Sequence, residues 1–223
     1  MKLINKLIIY VTFICLIISS IITVIDVCCF DEKFYYKEYD KNNTLEIIKT
    51  NDEELKYITS TTLDYLKDIN DDLDIMYHED GKLVHVFEDI ELIHMKDVKD
   101  LYQNVLKVRL ITAIIFIIGF IYIIINKLSI KKEYISVLIL FFVCVALIGI
   151  SCLIDFDSFW ISFHKVFFTK NDYWLLDPRT CILVNLFTSQ FFFDLCTKIC
   201  IYVFIVLLII TLSVFIYEKK KHN

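Results

Sequence analysis

Apolar and polar positions divide this chain into four long apolar runs separated by polar segments of very unequal length. Leu7–Ile25, Leu110–Asn126, Tyr134–Ile154 and Ile199–Tyr217 hold no charged residue. Each, wound as a helix rising about 1.5 Å per residue, can cross the hydrocarbon core of a bilayer. Lys2 and Lys6 precede the first run, and Lys127, Lys131 and Lys132 lie between the second and third. Lys219, Lys220 and Lys221 follow the fourth, with His222 in the same basic tail. Lysines in short segments mark the cytoplasmic face. The pattern predicts both termini inside, and the segments from about 30 to 107 and from 155 to 198 outside.

The expected fold is an all-α membrane protein with four transmembrane helices and a small extracellular cap, α or α+β. Its expected parts are a first transmembrane helix over 1–29 and a cap segment over 30–107. The second and third transmembrane helices with a short cytoplasmic loop follow over 108–154. An interfacial extracellular segment over 155–198 leads to the fourth transmembrane helix and basic tail over 199–223.

Periodicity resolves the outer segments further. Thr50 followed by Glu53 has the spacing of a capping box, and Leu55, Ile58, Leu63 and Leu66 continue a helix with one apolar side. Lys67–Asp74 is polar and suits a helix end and turn. Glu79-Asp80-Gly81-Lys82 predicts a tight turn joining Ile75–His78 to Leu83–Phe87 as a hairpin. From about Asp89 a second helix is expected, with His94, Val98, Leu101, Val105 and Val108 on one stripe running toward the second apolar run. In the shorter outer segment Phe159, Phe163, Val166 and Phe167 share one helical face, and Trp160, His164 and Phe168 share a neighbouring one. So few charges suggest a helix lying in the membrane interface. Asp177-Pro178 can cap and open a helix, and a short helix over Cys181–Phe187 is expected before the chain enters the last span near Phe191.

Composition narrows the classes. Hydrophobic residues make up 57% of the chain and the mean hydropathy is +0.62, which leaves little room for a soluble protein. The net charge of −5 hides an asymmetry, because residues 30–107 carry 20 Asp and Glu against 10 Lys. An acidic outer segment gives no footprint for nucleic acid. The first run is longer than a secretory signal core, no small-x-small cleavage site precedes Cys28, and Val27 is not the small residue expected before a lipid-modified cysteine. Retention as an anchor is expected. The eight cysteines do not form a ready disulfide set: Cys15, Cys144 and Cys200 fall within apolar runs, and neighbouring Cys28 and Cys29 cannot easily bridge each other. A link from Cys28 or Cys29 to Cys152, Cys181 or Cys196 has no support in the pattern. No Cys-x-x-Cys pair and no zinc-like cysteine–histidine spacing occurs.

Candidate chemistry then falls to the outer histidines His78, His85, His94 and His164, since no nucleophile elbow and no His-Glu-x-x-His pair exists. His94 interrupts an apolar stripe and has Asp97 three residues on, within reach to orient the ring. His164 sits among aromatic residues, where a titratable group is costly. Taken singly, each reads more readily as a satisfied core or interface histidine. His78 and His85 flank the expected turn and should be exposed.

Three strings carry a resemblance. Ile93-His94-Met95-Lys96-Asp97-Val98-Lys99, Phe163-His164-Lys165-Val166-Phe167-Phe168 and Trp174-Leu175-Leu176-Asp177-Pro178 resemble the lipoprotein intramolecular transacylase family of small four-span bacterial membrane proteins. The likeness extends over the whole topology. Thr188 stands where that family suggests proline, which should soften the helix break there. The resemblance implies transfer of the sn-2 acyl chain of a diacylglyceryl-cysteine lipoprotein onto its own N-terminal amine, giving a lyso-form lipoprotein. It implies His94 and His164 as catalytic residues, with Asp97, Trp174, Asp177 and Arg179 orienting or binding substrate, and no metal or cofactor. The implied partners are the lipoprotein N-terminus and membrane lipid.

The residues suit such chemistry: the nucleophile is the substrate's own amine, connectivity removes much of the entropic barrier, and imidazoles serve both proton steps. If the helix from Asp89 ran straight to Ile125, His94 would stand about 20 Å above the second span, so a break is expected at Tyr102-Gln103-Asn104. A non-enzymatic membrane sensor or accessory protein with a partner-binding outer segment is the competing reading. A channel fares worse, because among the spans only Asp26 approaches the interior of one.

Overall fold

A computed structural model describes residues 1–222; the side chain of His222 and residue 223 lie outside the described residues. The chain forms two compact units, one of Met1–Cys28, Val105–Asp155 and Cys196–Asn223, the other of Cys29–Asn104 and Phe156–Leu195.

Helix α1 spans Leu3–Cys29. In the second unit α2 covers Glu32–Asn42, α3 Thr44–Ile47 and α4 Asp52–Leu66, followed by strands β1 (Met76–Glu79) and β2 (Lys82–His85). Helix α5 covers Asp89–Ile125, α6 Lys131–Ile154, α7 Phe156–Phe167, α8 Leu183–Leu186 and α9 Ser189–His222. The helices α1, α5, α6 and α9 are long and apolar enough to cross a membrane. Their outward rows of Ile, Leu, Val and Phe are exposed in the isolated molecule, as suits a surface solvated by lipid. The protein is thus membrane-integral, largely helical and carries one small hairpin.

The first unit is held by a narrow core. Ile9, Phe13 and Ile17 of α1 pack with Ile123 of α5, Tyr134 and Val137 of α6, and Leu207 and Val214 of α9. Phe13 meets Tyr134 edge-on at 5.0 Å, and the Tyr134 hydroxyl shares a 2.6 Å hydrogen bond with Thr211 Oγ1. A Cβ at Gly119 would collide with the Thr12 hydroxyl, so glycine there permits the close approach of α1 and α5. Asp26 does not stand alone in its span, because Arg109 donates to it at 2.6 Å.

In the second unit α4 starts one residue later than expected. The N-cap is Asn51, whose side chain accepts Glu54 N–H at 2.9 Å. Thr50 turns its hydroxyl to the Glu54 carboxylate at 2.7 Å instead. The hairpin forms as expected, pairing Met76 with His85 and Glu79 with Lys82. Asp80 and Gly81 both have positive φ, 49° and 79°, the backbone of a two-residue turn matched to strand twist. His78 and His85 are exposed; His78 Nδ1 lies 2.6 Å from Glu54 and His85 Nδ1 2.7 Å from Asp74.

Three expectations are corrected. No break interrupts α5 at Tyr102-Gln103-Asn104, because those side chains are engaged from outside the helix: Tyr102 packs on Phe30 at 5.0 Å and Gln103 donates to Leu66 O at 2.9 Å. Asp177-Pro178 opens only a turn, with Arg179 N–H on the Asp177 side chain and Cys181 N–H on its carbonyl; the helix after it, α8, is confined to Leu183–Leu186. Thr188 does not soften the break before α9, since its hydroxyl accepts Phe191 N–H at 3.2 Å and serves as an N-cap. All eight cysteines are unbridged.

Candidate active site

The site grows from the first two turns of α5 and the last two of α7, both in the second unit. Helix α5 places His94 one turn after Glu91. Helix α7 carries Trp160 and His164 four residues apart on one face, as the sequence spacing anticipated. The imidazoles of His94 and His164 come together with ring centroids 5.9 Å apart, and both side chains are buried, at 7% and 8% exposure.

Aromatic walls enclose the pair. Phe168 touches both rings, at 5.1 Å from His94 and 5.4 Å from His164. Trp160 and Phe163 meet His164 edge-on, and Trp174 stacks on it at 5.2 Å. Such surroundings disfavour charge. Burial pushes His94 down to about 4, aided by the charge of His164 and opposed by Asp97. Burial also holds His164 below its ordinary value, against the pull of the Trp160 carbonyl. Near neutral pH both imidazoles are therefore uncharged.

One tautomer follows from the geometry. His164 Nδ1 lies 2.8 Å from the Trp160 carbonyl oxygen, and a carbonyl can only accept. Nδ1 therefore carries the proton, and the lone pair is left on Nε2. Close by, the indole Nε1–H of Trp174 is buried without a hydrogen-bond partner among the described residues. A buried donor in that state costs about 1–3 kcal/mol.

The other expected site residues divide. Asp97 makes no hydrogen bond with His94 among the described residues; it accepts Asn171 Nδ2 at 3.2 Å, and it acts on His94 through its charge. Asp177 and Arg179 pair with each other at 2.5 Å on an exposed turn and make no hydrogen bond or ion pair with either imidazole. Among the described residues no group of three or more His, Cys, Asp or Glu could hold a metal ion.

Glu91 escaped the sequence reading. It is fully buried and accepts Glu88 N–H at 2.8 Å and Leu183 N–H at 2.6 Å. One carboxylate thus caps the start of α5 and the start of α8, tying the turn before His94 to the 168–183 segment. Burial holds its carboxyl above the ordinary range. The only local signal is an acid at i−3 from His94, on the same side of the helix.

Comparison with known proteins bears on this arrangement. The sequence model of the family described as "Lipoprotein intramolecular transacylase Lit" matches residues 10–192. Among solved structures, the membrane-integral lipoprotein intramolecular transacylase Lit from Bacillus cereus superposes with a TM-score of 0.79 at 23% identity, over 98% of this chain and 97% of that one. A variant of it with a histidine replaced by arginine gives 0.79 at 22% identity, covering 98% and 94%. A histidine-to-alanine variant gives 0.72 at 20%, covering 98% and 92%. No curated protein matches the chain. At these identities the structures establish the fold.

Proposed function

Because the chain belongs to the lipoprotein intramolecular transacylase family, and is therefore an acyltransferase, we propose that it moves the sn-2 acyl chain of a diacylglyceryl-cysteine lipoprotein onto that lipoprotein's own N-terminal amine. The observation that carries this reading is the pair of buried, uncharged imidazoles on α5 and α7, 5.9 Å apart between aromatic walls.

The substrate amine attacks the sn-2 ester carbonyl, forming a C–N bond and a tetrahedral oxyanion. His164 Nε2, held as the free lone pair by the Trp160 carbonyl, takes the proton released by the nitrogen. His94, uncharged and adjacent, completes the proton path to the departing glyceryl oxygen. The carbon–oxygen bond then breaks, leaving an amide and a free sn-2 hydroxyl. No atom is gained or lost, and no external acyl donor is needed. A proton shuttle of this kind is worth about 10²- to 10⁴-fold in rate. The Trp174 Nε1–H, unpartnered among the described residues, receives the oxyanion in this reading. Asp97 adjusts the charge balance of His94 and anchors Asn171. Asp177 and Arg179 shape the exposed turn that follows Trp174 and contact the lipoprotein chain from there.

The lysine pattern supports an active site on the outer face of the cell membrane with both termini cytoplasmic. Labelling of a cysteine introduced at Asn43 in intact cells should succeed and at Ser129 should fail. The decisive test is production in a host whose lipoproteins are diacylglyceryl-modified with a free amine. Mass spectrometry should find them N-acylated at unchanged total mass; a gain of one acyl mass would instead require a separate donor and overturn the intramolecular route.

A further inference from the structure

A cavity of about 840 Å³ in the first unit has no part in the proposed transfer. It lies between the start of α6 and the end of α9, the ends of these helices remote in sequence from the histidine-bearing segments. Lys131, Lys132 and Lys219 line one end of it, and Ile135, Leu212 and Phe215 line the rest.

The floor of this groove is built. Glu218 is buried, and its carboxylate accepts Lys131 N–H at 3.1 Å, Ile130 N–H and the Ser129 hydroxyl at 3.2 Å. It caps α6 from α9 and locks the two helix ends together. Those donors, with the charge of Lys221, hold the carboxylate in its ionised form. Lys131 Nζ stands over the Phe215 ring at 4.6 Å, which fixes one ammonium at the junction of the basic end and the apolar wall. Three ammonium groups against one engaged carboxylate leave a net positive end above an apolar trough.

From this charge complementarity we propose that the groove binds an anionic phospholipid, its phosphate between Lys131, Lys132 and Lys219 and an acyl chain along Ile135, Leu212 and Phe215. A zwitterionic lipid would bring its own cation to the same ammonium groups. A free phosphate would leave the apolar trough unfilled. Basic pockets between membrane helices recognise such headgroups, and each lysine contributes roughly a fivefold gain in affinity.

The test uses the full-length protein in detergent and native mass spectrometry with dioleoyl phosphatidylglycerol, dioleoyl phosphatidylcholine or inorganic phosphate as probe. The intact protein should retain a phosphatidylglycerol adduct in preference to phosphatidylcholine. Lys131→Gln/Lys132→Gln/Lys219→Gln should weaken that adduct about 10²-fold, while Lys2→Gln/Lys6→Gln/Lys127→Gln, an equal loss of charge outside the groove, should keep it. Should the first triple variant fold poorly by circular dichroism, the single variant Lys132→Glu, on an exposed position, should weaken the adduct at least fivefold. Equal retention of both lipids would overturn the site, as would an equal loss in both triple variants. Displacement of the lipid by millimolar inorganic phosphate would reassign it to a free anion.

Discussion

His164 spends its Nδ1–H on the carbonyl oxygen of Trp160, one turn earlier in the same helix, at 2.8 Å. The ring is thereby fixed in orientation and in tautomer by the helix that carries it. Among the described residues His94 has no such partner, and its ring rests against Phe168 and His164 instead. The two imidazoles thus reach the same point by different means, and substitution should separate them.

His94→Ala and His164→Ala should each abolish N-acylation while the protein still inserts into the membrane. Activity is expected to fall by about 10²- to 10⁴-fold if each removes one proton-transfer step. His78→Ala and His85→Ala should be nearly silent, since those side chains pair with Glu54 and Asp74 on the exposed hairpin side. Folded protein is to be measured by size-exclusion beside lipoprotein mass spectra. Full activity in either of the first two variants would remove the two-histidine mechanism.

The depressed value of His94 has consequences of both kinds for pH. Between about 4 and the ordinary imidazole value near 6.5 the unfolded chain holds a proton that the folded one lacks. Its contribution to stability is therefore complete above about 6.5 and is lost as pH falls through about 4, amounting to roughly 3 kcal/mol across the window. The thermal midpoint in detergent should fall on acidification from pH 7 to 4, and His94→Gln should flatten that fall. Activity should follow a different group. With both imidazoles already neutral, the rise of kcat/KM with pH should centre near the substrate α-amine, about 7.7–8.0. A limb centred near 6.5 would mean that one imidazole is not buried in the working enzyme. Asp97→Asn removes the group that raises His94 and one acceptor of Asn171, so activity should drop partially.

Glu91 is expected to act as a positioning residue. Glu91→Ala strips the cap from α5 and α8 together and leaves buried N–H groups without partners, at about 1–3 kcal/mol for each. Glu91→Gln keeps one acceptor and should recover part of both stability and activity. The distinguishing readout is kcat with the folded fraction held equal by titration of intact protein: a fall in kcat at equal folded amount marks displacement of His94, whereas loss of protein alone marks a structural cap and nothing more.

These residues also mark how far the sequence could be read. The four spans were legible because a bilayer demands long uncharged runs, and the hairpin because Asp80-Gly81 suits two consecutive positive φ values. The start of α4 was misplaced by one residue because Thr50 and Asn51 are both competent caps, and only the chain entering through Asn51 decides between them. Helix α2 was missed: its buried residues are Tyr35, Glu38 and Tyr39, which do not form an aliphatic stripe. The break expected in α5 came from the height a straight helix gives His94 above the second span; the helix is nevertheless continuous, and the partners of Tyr102 and Gln103 lie far off in sequence at Phe30 and Leu66. Glu91 and Leu183 lie 92 positions apart, and no periodicity reports a cap made over that distance. His94 and His164 were each visible as polar residues in apolar surroundings, but their pairing came from family resemblance.

Trp174 offers the sharpest separation of function from stability. Its ring stacks on His164 at 5.2 Å while its Nε1–H is buried and has no partner among the described residues. Trp174→Phe keeps an aromatic ring against the imidazole and deletes only the donor and part of the ring volume. If that donor receives the oxyanion, kcat should fall by about 10²- to 10³-fold, as for the loss of other preorganised oxyanion donors, with KM little changed. Stability should not fall in step. Removing an unsatisfied buried donor returns about 1–3 kcal/mol, which offsets the small cavity left by the shorter ring, so the thermal midpoint should hold or rise slightly. Trp174→Leu removes the stacking as well and should lower both. A Trp174→Phe protein of unchanged kcat would leave the indole as a wall of the site and return the oxyanion to another donor. A protein that lost stability and activity together would show that the indole is held by a partner in the membrane-embedded enzyme.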